Sequence, residues 1–564
     1  MKEWLEETHS QWFELLRHFL LRFFDSDLIT APEHTATALI GAFSLCLPWF
    51  PLLVQPLHAK YAYFSGLATP EPYRQAVRAD ELWLITLMMS AIGLLTAVKW
   101  QSLFPGLRDY QALGSLPLHP RRIFGAKLAA LLLVVTALLI TINALPTVGF
   151  PAVSASSWQI QPSLAARIGV HAIATATAAY FVFFAMVACQ GVLLNLLRPR
   201  AFGRVTGYTQ GALVALMLLL LVLSFSIQPQ TASMLAKPEL ARWLPPVWFL
   251  GLYQAMLGDP DPMMQSLAHQ ARVALSIAIS LALASYLVSY HCHRELLVES
   301  GTGAAKDRRW PGTVFDCLIP EPRQQAVITF VTKTLAQSSQ HRMILMAYGG
   351  FGLAIVLSGI IGIRGAMAPD QVSSACFVYT HTTLLIFLLI GLRHLYSIPV
   401  ELKANWTFQL TERDGRREWL EAVDRFALFS GAVLMLAVPF PIEVKLLGWR
   451  ALAESVLLAA FGLLCYEWVF ASWEKLPFTC SYLPGKTPMW MLALRLLGIL
   501  TVLQGINALF LVSLFRSTVY LIILFLLLVL AVRMRAARIR SLGELTLKYE
   551  EVPEPAVRGL NLRR

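Results

Sequence analysis

The sequence predicts an all-α, polytopic integral membrane protein of about 12 transmembrane helices, arranged as two parallel six-helix repeats. Three observations carry that prediction. Of 564 residues, 57% are hydrophobic and only 14% charged, whereas a soluble globular domain carries about 25% charged residues. Apolar runs of about 20 residues, enough to cross about 30 Å of hydrocarbon as a helix, recur along the whole chain. One long polar stretch, "HCHRELLVESGTGAAKDRRWPGTVFDCLIPEPRQQ", divides those runs into two sets.

The chain opens on "MKEWLEETHSQWFELLRHFLLRFF". Trp12, Leu15, Leu16, Phe19, Leu20 and Phe23 follow the helical period there, so the segment is expected to lie in the headgroup plane. It is charged where a cleavable signal peptide would carry a bare apolar core. Spans are then predicted near 36–57, 82–100, 124–147, 166–196, 207–228 and 272–290. Gly301, Gly303, Pro311, Gly312, Pro320 and Pro322 break the linker. The expected organisation is therefore a first unit over 1–300, a cytoplasmic linker over 301–323 and a second unit over 324–564. The second unit also opens amphipathically, through Val327, Phe330, Val331 and Leu335, and its spans are predicted near 343–363, 374–392, 426–442, 450–473, 490–513 and 517–533. Pro439 and Pro441 interrupt the third of these, and Glu443 beside them must reach water or a partner. An even number of spans per half makes the repeat parallel rather than inverted.

The net charge of +12 reads, in a membrane chain, as a mark of cytoplasmic loops and anionic headgroups, not of nucleic-acid binding. Lys99, Arg108, Arg121, Arg122 and Lys127 gather in one loop, Arg198, Arg200 and Arg204 in another, and Arg533, Arg535, Arg538 and Arg540 in the tail. The positive-inside rule then places both termini in the cytoplasm, in the cell (inner) membrane. Seven cysteines are scattered without a CxxC pair, so neither a disulfide framework nor a zinc site is predicted. His291, Cys292 and His293 are adjacent at a helix exit and point in different directions; they read as interfacial polar residues rather than metal ligands.

Charges inside spans are the first functional candidates in such a chain. They are Glu454, Glu467 and Arg495. Glu467 and Arg495 are expected to pair across neighbouring helices, with a substrate or proton role as the alternative. His171 and His381 read as packed polar residues. Gly485, Lys486 and Thr487 resemble part of a phosphate loop, but Cys480 stands where its first glycine is required, and prolines flank the segment. Asp80 and Glu81 read as acids at a helix start, favoured there by the helix dipole. Neither a catalytic residue, a metal site nor a cofactor of the chain's own is predicted. The apolar, aromatic "WLPPVWFLGLYQAML" is expected to form a short helix at the outer interface, as a structural cap or a gate.

The segment "DYQALGSLPLHPRRIFGAKL" suits a short helix on the cytoplasmic face. Asp109 charges its N-terminus, Leu113 and Leu116 share a side, and Pro117 and Pro120 end it before Arg121 and Arg122. A loop whose arginines only enforce topology is the other reading. The pattern of Asp109, Leu113, Leu116, Pro117, Arg121 and Lys127 ahead of an apolar helix resembles the first cytoplasmic loop of type-2 ATP-binding-cassette (ABC) exporter permeases. That resemblance implies interfacial elbow helices, cytoplasmic coupling helices that dock on an ATPase, and an outer segment before span six. It implies coupling roles for Asp109, Leu113, Leu116, Pro117, Arg121 and Arg122. In the second half it implies them for Trp406, Glu412, Arg413, Asp414, Arg416 and Arg417, although Asn405 stands where the first half has Asp109. It further implies a transport subunit that is not itself an enzyme, with ATP and Mg on cytoplasmic ABC ATPase partners. The scarcity of intramembrane charge favours a hydrophobic or amphiphilic cargo over ions. A secondary transporter of the major-facilitator kind is the alternative, opposed by the long loops and by the lack of a proton-coupling carboxylate mid-helix in the first half. A lipid-linked transferase using Asp80 and Glu81 is a third reading.

Overall fold

A computed structural model describes residues 11–20, 50–105, 120–227, 237–299, 321–366, 369–400, 405–411, 416–432, 439–471, 501–510 and 516–542, with isolated residues between them. Among the described residues there is no strand, and nine helices are long and apolar enough to cross a membrane. The chain divides into two compact units, Met1–Ala305 and Lys306–Arg564.

In the first unit, α1 covers residues 11–20 and α2 Pro51–Ser65. Five long helices follow: α3 (Glu71–Val98), α4 (Pro120–Val153), α5 (Leu164–Leu196), α6 (Pro199–Ile227) and, after two short helices, α9 (Pro262–Glu299). The short ones are α7 (Pro238–Trp243) and α8 (Pro245–Leu257). Local chemistry sets the ends. The Ser163 side chain accepts from the Ala166 N–H and so caps α5, and Gly258, at φ 88°, closes α8 in the left-handed conformation that glycine adopts without strain. Because successive helices reverse direction, the unit has two ends. The basal end carries residues 99–105, the start of α4 and the α5–α6 turn; the cap end carries the α2–α3 turn, α7 and α8.

The helix expected at "WLPPVWFLGLYQAML" exists as α8, but it does not lie loosely on a surface. Val247, Phe249, Leu250 and Tyr253 are buried, and α8 packs against α3, α5 and α9. Its mixture of aromatic and aliphatic side chains all round the helix is what a helix enclosed on several sides requires. Close approach also shapes the basal half. A Cβ placed on Gly191 of α5 would lie 2.2 Å from Ser285 Oγ of α9, so the missing side chain lets these two helices touch.

The second unit comprises α10 (Pro322–Gln337), α11 (Ser339–Ala366), α12 (Pro369–Tyr396), α13 (Asn405–Thr411), α14 (Arg416–Ala432), α15 (Phe440–Leu447) and α16 (Arg450–Val469). Then come α17 (Thr501–Phe510) and α18 (Ser517–Leu542). Its core joins α10, α12, α14 and α16 through Val331, Leu389, Tyr396, Trp419, Leu457 and Phe470. Nine of the predicted spans correspond to long described helices, most of which run several residues further at one or both ends. Of the remaining three, the run at 36–57 is described only from residue 50, the run at 426–442 is helical to Ala432 and again from Phe440, and the run at 490–513 is described mainly over α17.

Candidate functional site

The basal segment of the first unit is fastened at both of its ends. Where it leaves α3, Trp100 Nε1 donates to Thr206 Oγ1 of α6 at 2.7 Å. The Leu103 carbonyl accepts from the Tyr286 hydroxyl of α9, and the Phe104 ring stacks on the Tyr286 ring at 4.4 Å between centroids. Where it enters α4, the amphipathic α1 covers it. Leu15 and Phe19 pack with Leu113, Ile123, Ala126 and Ala130. Lys127 reaches toward Asp109 at 3.8 Å and sits 4.9 Å from the Phe19 ring centre, while Arg122 donates to Gln11 at 2.9 Å. The apolar stripe read from the sequence as lying in the headgroup plane here packs on Leu113 and on the start of α4.

This changes what individual residues can do. Asp109 and Leu113 are buried, so they anchor the segment and do not themselves present a surface. Arg121 is exposed and Arg122 half-buried, which leaves those two available for contact. Leu116 and Pro117 lie outside the described residues.

In the second unit other contacts hold the corresponding stretch of sequence. Phe330 of α10 packs on Phe408 of α13 and on Phe478, and Asn405 donates to the Thr479 carbonyl at 2.7 Å. Trp406 is exposed. Glu412, Arg413 and Asp414 lie outside the described residues; Arg416 and Arg417 open α14, their side chains likewise outside. The link to the last helix is ionic here. Arg538 of α18 donates to Asp424 of α14 at 2.6 Å and to Glu467 of α16 at 3.5 Å, and Arg535 reaches Glu467 at 3.4 Å. Tyr466 adds its hydroxyl to Asp424. The arginines that Glu467 meets are thus Arg535 and Arg538, whereas Arg495, its expected partner, lies outside the described residues. Two arginines of the basic tail carry out a packing role that a topology count does not reveal.

Charge is also buried toward the cap end of the first unit. Glu81 and His171 are both fully buried, with His171 Nδ1 3.0 and 2.9 Å from the two carboxylate oxygens. Asp80, also buried, accepts from Lys60 at 2.7 Å and from the Tyr61 hydroxyl at 2.7 Å. Arg78 holds Asp259 at 2.7 Å. Burial first, and then the Glu81 carboxylate, push the Tyr253 phenol of α8 well above its ordinary pKa. The reading of Asp80 and Glu81 as acids at a helix start is corrected. The helix begins at Glu71, which places Glu81 about 15 Å along α3. A buried carboxylate thus lies well inside a long apolar helix of the first half.

In the second unit, His381 of α12 and Glu443 of α15 approach to 2.7 Å and both are buried. Glu454 is buried nearby on α16. The first unit has its acid on α3 and its histidine on α5, and the second its histidine on α12 and its acid on α15. Both histidines are packed polar residues, as read from the sequence, and each meets a buried carboxylate. Below His381, Leu385, Leu389, Leu458 and Gly462 help line an apolar groove of about 280 Å³. Among the described residues no group of three or more metal-ligating side chains converges, and the Gly485–Thr487 segment lies outside them. No signal local to the sequence could have found the pairings, since Glu81 and His171 stand 90 positions apart. No family model, curated protein or solved structure matches the chain.

Proposed function

We propose that this chain is the membrane subunit of an ATP-binding-cassette exporter, moved by separate cytoplasmic ATPase subunits that carry the ATP and Mg. One observation supports this above the others. The 99–127 segment is tied to α1 at one end and to α6 and α9 at the other, so a force on its exposed Arg121 and half-buried Arg122 reaches the last helix of the unit. A loop serving topology alone needs no such fastening. The second unit has an equivalent route from α14 through Arg538 to α18. In this reading the cargo is hydrophobic or amphiphilic, for which the apolar groove of the second unit is suited. In this reading the arginine-rich loops and both termini face the cytoplasm of a cell (inner) membrane.

The test is co-purification with a soluble Walker-motif ATPase. Reversing Arg121 and Arg122 to glutamate is expected to release or uncouple that ATPase while the membrane fold is kept. Unchanged association and transport would remove the role from these residues. A second reading, a proton-coupled secondary transporter, draws on the two buried acid–histidine pairs. It is favoured instead if no ATPase associates and the purified chain alone moves substrate on a proton gradient.

A further inference from the structure

At the cap end of the first unit, Tyr73, Arg74, Trp158, Gln159, Gln161 and Arg167 help line a cleft of about 30 Å³, room for two waters or for the outer oxygens of one compact anion. Arg167 is 6% exposed. Its Nη1 donates to the Pro151 carbonyl at 2.7 Å, and its Nε is buried without a hydrogen-bond partner. A carbonyl satisfies one N–H but does not neutralise a guanidinium. Asp259, the carboxylate lining the cleft, is held by Arg78, and Glu81, which like Arg167 acts on Tyr253, is held by His171. Among the described residues no carboxylate pairs with Arg167 or with the exposed Arg74. A buried charge without a counter-ion is among the costliest arrangements in a protein, so an anion from outside the chain resolves it.

We propose that this cleft binds a phosphate-type anion, held by Arg167 from within and by Arg74 from the open side. Three arginines line the cleft against the single carboxylate of Asp259, which leaves an excess of positive charge. Guanidinium groups match the oxygens of phosphate with paired, charge-assisted N–H bonds. The Gln159 side-chain oxygen is also buried and unpartnered, and a half-turn of that amide presents its NH2 to the same anion. Tyr73 and Trp158 supply aromatic walls of the kind found at headgroup depth. The same chemistry is offered by a phospholipid headgroup and by free phosphate. The site does not depend on the exporter reading, and its test needs no ATPase.

The full-length protein in neutral detergent is heated with inorganic phosphate against chloride at equal ionic strength. In parallel it is reconstituted in phosphatidylcholine nanodiscs with and without phosphatidylglycerol, and retained lipid is read by native mass spectrometry. Stabilisation by phosphate in lipid-free detergent identifies the free anion; selective retention of phosphatidylglycerol without a phosphate effect identifies the headgroup. In either case Arg74→Gln and Arg167→Lys are each expected to weaken binding about tenfold. Arg74 is exposed, so its replacement leaves packing alone, and an unchanged melting temperature in chloride excludes misfolding as the cause. If Arg167→Lys does not fold, Arg74→Gln decides. Neither effect in the wild type, or wild-type binding by the folded variants, overturns the proposal.

Discussion

His171 Nδ1 lies 2.9 Å from Glu81 Oε2, and neither side chain has exposed surface. A polar pair enclosed this completely is worth more for what its loss would expose than for its own attraction. Glu81→Gln keeps an oxygen for the imidazole N–H, whereas Glu81→Leu leaves a buried donor unpaired. The leucine variant is expected to lose about 1–3 kcal/mol and the glutamine variant clearly less. Thermal unfolding of the two purified variants in one detergent compares them directly.

Arg538 and Arg535 both contact Glu467, yet they differ in setting. Arg538 is 5% exposed at its side chain and Arg535 is 45% exposed. Arg538→Gln leaves Asp424 and Glu467 facing each other without their buried cation, expected to cost about 3–5 kcal/mol. Arg535→Gln is expected to cost less than about 1 kcal/mol, because solvent already screens that contact. Equal losses in chemical-denaturant or thermal melts would show that the burial difference has no energetic meaning here.

Phe19 holds α1 against the basal segment by packing on Leu113, Ile123 and Ala126 and by lying under Lys127. Phe19→Ala is expected to cost about 3 kcal/mol of local stability, read as faster hydrogen exchange or protease cleavage in residues 11–20. Arg122→Ala removes one partly exposed hydrogen bond to Gln11 and is expected to change that protection little, by about 0.5 kcal/mol.

Two glycines separate close packing from open space. Gly191→Leu would drive side-chain atoms into Ser285 and is expected to destabilise by about 1–3 kcal/mol. At Gly125 in α4, a methyl group would meet nothing within 4 Å. Gly125→Ala is therefore expected to stabilise the helix by about 0.5–1 kcal/mol, visible as a higher melting temperature.

Much of the helical framework is legible in hydropathy because the requirement is additive along the chain. A run such as 166–196 must be helical in lipid whatever surrounds it, since every backbone N–H and C=O has to be satisfied within the segment. Helix ends are less legible. The first turns of α3, "EPYRQAVRADE", are polar, so an apolar window starts at residue 82 and misses that Asp80 and Glu81 already lie well inside a helix. The amphipathic stripe of Leu15 and Phe19 is visible as a periodicity, but its partner Leu113 is not, because periodicity states that a face is covered and not by what.

The sequence by itself determined the class of the molecule, the alternation of apolar helices with basic loops and the division by a polar linker, since each depends on local composition. Only the tertiary structure decided which charges meet. Glu81 finds His171 across 90 positions and Asp424 finds Arg538 across 114. Buried ions select partners by distance and dielectric surroundings, and both are properties of packed helices rather than of any stretch of chain.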